Sequence, residues 1–110
     1  MMKKDNLKDC LLADVSKIKF NGIYVPNLYV FDKALNSNMK LILSLLLYIN
    51  KYYDNRIIQV KYLSSLLAMS ETTLSRELKK LEELGYIKSE LATHKNITLG
   101  KRYYVQVKPT

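Results

Sequence analysis

Residues 60–85, VKYLSSLLAMSETTLSRELKKLEELG, decide the fold of this chain. They predict two helices joined by a turn that is too short to be a flexible loop. Ser70 is placed to cap the second helix, because its side-chain oxygen can accept from an unpaired amide of the first turn. Gly85 is expected to end that helix by supplying the left-handed backbone conformation. The stretch therefore predicts a compact helical hairpin.

The two faces of the second predicted helix differ in chemistry. Polar residues on one face are Thr72, Arg76 and Lys79. Leucines on the opposite face recur at spacings of four and three, which gathers them into one stripe. That stripe consists of Leu74, Leu78, Leu81 and Leu84. One face is thus predicted to meet a core and the other to meet solvent or a partner.

Two helices at a steep angle across a tight turn form a helix-turn-helix, whose second helix can enter a DNA major groove. The run LSSLLAMSETTLSRELKKLEELGYI resembles the core of the winged helix-turn-helix superfamily. It is most similar to the small modules of phage, plasmid and other mobile-element replication and regulatory proteins. The resemblance extends over roughly residues 28–108. Ala68 stands where that pattern most often has glycine, which predicts a mildly strained backbone in the turn. A generic amphipathic hairpin is the alternative, but it would not explain the cap, the turn length and the closing Gly-Tyr-Ile together.

The flanking sequence completes the predicted fold. Asn36 or Ser37 is expected to cap a central helix that runs through MKLILSLLLYINKYY, and residues 57–60 are expected to form a short strand. Residues 86–88 and 102–107 then predict the two strands of a C-terminal wing, with residues 93–101 as its polar loop. The predicted fold class is α+β: a winged helix-turn-helix with a three-helix core and a C-terminal β-hairpin wing.

The N-terminal residues predict a small extension. Residues 17–20 and 23–25 alternate or are β-branched on either side of Asn21-Gly22, which is a strong signal for a β-hairpin, and Pro26 would end it. We therefore divide the chain into residues 1–27, an extension with a β-hairpin, and residues 28–110, the winged domain. Residues 1–19 predict either a short helix packed on the domain or a dimer, or a basic arm that follows DNA.

Composition bounds the class of protein. The chain has 110 residues, of which 48% are hydrophobic, enough for one core. Its formal net charge of +8 favours a polyanionic partner. The longest apolar stretch, residues 41–49, is far shorter than the ~20 residues of a membrane span. With a single cysteine, Cys10, the chain fits a reducing compartment, and we expect a cytoplasmic protein without membrane contact.

The residues that carry enzymatic chemistry are sparse. His94 is the only histidine, and it has no nearby cysteine or serine in a nucleophilic arrangement. Gly22, Gly85 and Gly100 are far apart, and none belongs to a phosphate-binding loop. The sequence therefore predicts a protein that is not an enzyme and that needs no metal or other cofactor.

Our leading hypothesis is binding of duplex DNA. The residues assigned to the major groove are Thr72, Thr73, Ser75, Arg76 and Lys79. The residues assigned to the phosphate backbone are Lys80, Lys61 and Ser64, and in the wing Lys95, Lys101 and Arg102. Arg76 is the expected base reader, because a guanidinium bonds bidentately with guanine. A homodimer on a palindromic site is also expected, since one recognition helix contacts few bases.

Two alternatives stay open. In the first alternative, the chain is an accessory subunit that binds a helicase, polymerase or primase. Glu83 favours this alternative, because a carboxylate on the outward face of the helix would repel phosphate. In the second it binds single-stranded DNA on the paired aromatic residues Tyr52-Tyr53 and Tyr103-Tyr104. We nevertheless expect one ring of each pair to point to the core and the other along the surface.

Overall fold

The computed structural model describes residues 22–53 and 57–106. Its elements, in chain order, are α1 (Asn27–Val30), α2 (Ser37–Tyr52), α3 (Val60–Leu67), α4 (Glu71–Glu83), β1 (Ile87–His94) and β2 (Ile97–Val105). Helices α2, α3 and α4 form the core of the domain, and β1 and β2 pair antiparallel after it. The predicted α+β class, a winged helix-turn-helix with a C-terminal hairpin, is confirmed.

Helix α2 lies at the centre of the domain. Asn36 caps it as predicted, because the side-chain oxygen of Asn36 accepts from the amide of Met39 at 2.8 Å. Ile42, Leu43 and Leu46 are fully buried, and the helix as a whole packs against α4 and β2. None of the helices in the described part of the chain combines the length and hydropathy needed to cross a bilayer.

The turn between α3 and α4 has the predicted strain. Ala68 adopts the left-handed conformation, with φ 54° and ψ 43°, a region that alanine rarely enters. Ser70 then caps α4, since its Oγ accepts from the amide of Thr73 at 3.1 Å. This turn fixes the angle at which α4 leaves α3.

The end of α4 is a Schellman motif around Gly85. The amide of Tyr86 donates to the carbonyl of Leu81 at 2.9 Å, and Gly85, with φ 86°, donates to the carbonyl of Glu82 at 3.1 Å. Gly85 therefore ends the helix as predicted. The prediction that Leu84 belongs to the buried leucine stripe is wrong. Leu84 follows the last helical residue and is 52% exposed, because the chain turns away there.

The wing is a tighter hairpin than the sequence indicated. Residues 93–101 are not a polar loop, because nearly all of them belong to β1 or β2. The strands are joined by Lys95 and Asn96 alone, both at positive φ, as a two-residue turn of the primed type requires. Lys-Asn is a weak signal for such a turn, so the sequence did not locate it.

Next to Gly100, the wing pairs with the segment that precedes α3. Ile58 pairs with Lys101 through two backbone hydrogen bonds of 2.8 and 3.1 Å, and Val60 already belongs to α3. The predicted strand at 57–60 is thus reduced to one bridge to the wing. A Cβ at position 100 would lie 2.7 Å from the carbonyl oxygen of Ile58, so only glycine permits this approach.

The predicted N-terminal hairpin falls largely outside the described residues, which exclude 1–21. Ile23, Tyr24 and Val25, its predicted second strand, adopt no regular secondary structure. Ile23 and Val25 instead pack against the core of the domain. The division of the chain at residue 27 stays a prediction.

Candidate nucleic-acid interface

Helix α4 presents a polar face to solvent because its apolar face is fully used by the core. Leu74, Leu78 and Leu81 are buried. The structure places on the exposed side, as the periodicity predicted, Thr72, Ser75, Arg76 and Lys79. The side chain of Arg76 is 57% exposed. These positions are open to a partner as large as a DNA groove.

Thr73 is placed differently from the other predicted groove residues. It is half-buried, and its Oγ1 accepts from Ser70 Oγ at 2.9 Å while its amide donates to the same oxygen. Thr73 is thus part of the N-cap of α4. The capping sequence was recognised from Ser70, but the hydrogen bond that the Ser70 hydroxyl donates to the Thr73 side chain was not.

A cleft of about 630 Å³ separates α4 from the wing. Ser75 and Lys79 line it from α4, and Lys101 lines it from β2. Its lining also includes the apolar side chains of Leu78 and Leu91. The structure therefore brings together two lysines and a serine that the sequence had assigned separately to the helix and the wing.

Lys80 lies on the other flank of α4. It lines a depression of about 390 Å³ together with Lys33, Asn36 and Glu83, at the N-terminal end of α2. The sequence had grouped Lys80 with the wing as a phosphate contact, and the structure separates the two. Lys33 was missed, because it lies in a segment without periodic pattern and only the fold brings it to α4.

The remaining predicted contacts are spread over the surface. Lys95 is exposed in the wing turn, and Arg102 is half-buried opposite Glu90. On α3, Lys61 is exposed and Ser64 Oγ donates to the carbonyl of Lys61 at 2.9 Å. Neither α3 residue lines the cleft between α4 and the wing.

Two carboxylates of α4 accept hydrogen bonds from other elements, and of these Glu77 is buried whereas Glu82 is exposed. Glu77 is only 5% exposed and accepts from Asn36 Nδ2 at 3.2 Å, and its other oxygen lies 4.0 Å from Arg76 Nη2. Glu82 accepts from the Ser89 hydroxyl of β1 at 3.0 Å. Glu77 therefore lies on the buried face of α4, which agrees with its position three residues after Leu74. Glu83 is exposed, as predicted.

Tyr86 and Tyr103 have raised pKa values for two different reasons. The Tyr86 hydroxyl donates to a carboxylate oxygen of Asp32, which lowers the pKa of Asp32 and raises that of Tyr86. Burial, with a smaller contribution from Glu82, raises the pKa of Tyr103 to about 12. Tyr103 is buried and Tyr104 half-buried, which confirms the expected division within that pair.

Comparison with known proteins agrees with this geometry. Residues 38–87 match the family model described as a helix-turn-helix domain. The match extends from the first turn of α2 to the first residue of β1, so it contains α3, the strained turn and all of α4. No curated protein and no solved structure matches the chain significantly. Residues 38–87 are thus similar to a helix-turn-helix domain, and DNA binding is the function that such a domain suggests.

Proposed function

We propose that this protein binds duplex DNA by placing α4 in the major groove while the wing follows the neighbouring backbone. One observation carries the proposal. The exposed face of α4, with Arg76 and Lys79, stands beside a wing that contributes Lys101 across a shared cleft. A recognition helix and a cationic hairpin in this arrangement suit a groove and the phosphates that border it.

Charge supports the same orientation. Glu77 and Glu82 lie on α4, but each accepts hydrogen bonds from another part of the chain, Asn36 and Ser89. Glu77 is buried and so adds little negative charge to the exposed face of α4, whereas Glu82 is exposed and lines the cleft beside Lys79 and Lys101. The chain as a whole has a formal net charge of +8, which favours association with a polyanion.

Arg76 is the proposed base reader. Its side chain projects from the exposed face of α4 and stands one turn before Lys80 and one turn after Thr72. A bidentate contact from a guanidinium to guanine contributes about 1–3 kcal/mol of discrimination. Lys79 and Lys101 are proposed to contact phosphates, which adds affinity without sequence preference.

The biological process is proposed from the sequence resemblance: replication or regulation of a mobile genetic element, with a homodimer on a palindromic site. A second candidate, an accessory subunit of a helicase, polymerase or primase, is favoured by the exposed apolar side chains of Leu28, Phe31 and Leu84. Recovery of a stoichiometric protein partner from the native host, stable to nuclease, would support this second candidate.

Salt dependence tests direct DNA binding. The affinity for a duplex of random sequence is measured by fluorescence anisotropy over a series of salt concentrations. Release of counterions predicts a log-log slope of about −0.9 for each phosphate that is neutralised. A steep slope supports the proposal, and a flat response contradicts it.

A further inference from the structure

Three tyrosines cluster at the C-terminal end of α2. The ring centroids of Tyr48 and Tyr52 are 4.8 Å apart, and those of Tyr48 and Tyr53 are 6.2 Å apart. Tyr52 is 60% exposed, whereas Tyr53 is half-buried against the core. The sequence drew attention to the pair Tyr52-Tyr53, but Tyr48 joins them only because it lies one helical turn earlier.

This tyrosine cluster, Tyr48, Tyr52 and Tyr53, is cationic as well as aromatic. The ammonium group of Lys51 lies 5.3 Å from the ring centroid of Tyr52. Helix α2 contains two lysines, Lys40 and Lys51, and no aspartate or glutamate. An exposed ring beside a lysine on a helix without carboxylates offers stacking and positive charge at one place.

The tyrosine cluster is separate from the proposed duplex interface, and its end of α2 is hydrogen-bonded to β2. None of its three residues lines the cleft between α4 and the wing. Asn50 anchors this end of α2 to β2, because its side chain donates to the carbonyl of Tyr103 at 2.7 Å and accepts from the amide of Val105 at 2.9 Å. The cluster is therefore carried by a helix that is fixed to the wing.

We infer that the tyrosine cluster is a second nucleic-acid site, which stacks the unpaired bases of single-stranded DNA on Tyr52 while Lys51 contacts the backbone. Every base has a π face that stacks on an aromatic ring, and arginine or lysine nearby adds attraction for phosphate. Bases within a duplex stack on one another and leave no face free for such a ring. The site consequently selects single strands, whereas α4 and the wing serve a duplex.

Binding of labelled oligothymidylate and of a labelled duplex, measured by fluorescence anisotropy at one salt concentration, tests the inference. Tyr52→Ala should weaken binding of the single strand at least about fivefold, the lower end of what one stacked base contributes. Binding of the duplex should be unchanged. Tyr52→Phe keeps the ring and should bind like the unaltered protein. Tyr24→Ala is the matched control, because Tyr24 is 76% exposed and precedes α1.

A strand of the same length without bases provides an independent arm on the unaltered chain. Its affinity should fall to that of Tyr52→Ala for oligothymidylate, because the phosphates are kept and the stacking partners are lost. If the unaltered protein binds the abasic strand and oligothymidylate equally well, the inference is overturned. Loss of single-strand and duplex binding to the same extent in Tyr52→Ala, at an unchanged melting temperature, also overturns it. Failure of duplex binding alone would contradict the proposed function and leave this site supported.

Discussion

The carboxylate of Glu77 in α4 accepts a hydrogen bond of 3.2 Å from Asn36, the residue whose side chain also caps α2. The Asn36 side chain thus accepts from an amide in the first turn of α2 and also donates to α4, the helix that carries Arg76, the proposed base reader. Because Glu77 is buried, its carboxylate depends on this partner for part of its solvation.

A double-mutant cycle measures this relationship. Asn36→Ala should cost about 1–2 kcal/mol of unfolding free energy, because the cap is lost and Glu77 loses its donor. Glu77→Ala should also destabilise the protein, and the double variant should recover about 1 kcal/mol relative to the sum. Urea unfolding of the four proteins provides the values. Strict additivity would show that the two side chains are not coupled.

Gly100, in the wing, should be harder to replace than Gly85 at the end of α4. Gly100→Ala places a Cβ 2.7 Å from the carbonyl oxygen of Ile58 and keeps a φ of 146°, so we expect a loss of about 2–3 kcal/mol. Gly85→Ala is the matched control, because its φ is also positive but its Cβ would meet nothing within 4 Å. Its loss should be about 1 kcal/mol. Equal losses in thermal unfolding would contradict the close approach of the wing to Ile58.

Features that depend on neighbours in sequence were predicted well. Ala68, Ser70 and Gly85 were assigned correctly because strain, capping and helix termination are decided within one turn of chain. The pairing of Glu77 with Asn36 was not predicted, because the two residues are 41 positions apart and only the fold brings them together. Lys33 was missed for the same reason, because only the packing of α2 on α4 gives it a place beside Lys80. The groove residues themselves stay a prediction.

The free energy of unfolding should fall at alkaline pH, because the buried tyrosines ionise more readily in the unfolded chain. Burial raises the pKa of Tyr103 to about 12, well above its ordinary value of about 10. The folded state therefore favours the neutral phenol. The contribution of the neutral phenol to the free energy of unfolding is complete below pH ~10 and is lost as the pH rises towards ~12. Tyr29 is buried and should behave in the same way, since its pKa is also raised to about 12.

Tyr103→Phe separates this contribution from the other tyrosines. The unfolding free energy of the variant should fall less steeply above pH ~10, by up to about 2 kcal/mol at the highest pH, because one buried phenol no longer ionises on unfolding. Tyr24→Phe, at an exposed position, is the control and should leave the profile unchanged. A profile for Tyr103→Phe that matches the unaltered protein would contradict the role assigned to burial.

The cleft lysines should contribute affinity without preference. Replacement of Lys79 or Lys101 by Ala should weaken binding to all duplexes about equally and reduce the salt slope by about 0.9 each. Lys40→Ala is the matched control, because Lys40 lies in the first turns of α2, outside the cleft, and its ammonium group donates to the carbonyl of Val30 at the end of α1. An unchanged slope in both cleft variants would remove the cleft from the interface.

The central claim, that α4 reads bases, is tested most directly by comparing Arg76→Ala with Leu78→Ala. The measurement combines a melting curve with binding to a selected site and to a scrambled duplex. Arg76→Ala should keep unfolding free energy within about 0.5 kcal/mol, because the side chain is exposed, and should lose ~1–3 kcal/mol of discrimination at one base pair. Leu78→Ala, at a buried position, should cost ~2–5 kcal/mol of stability and lose binding only as the fold is lost. If Arg76→Ala leaves both affinity and sequence preference unchanged, α4 does not read bases through this residue and the account is contradicted.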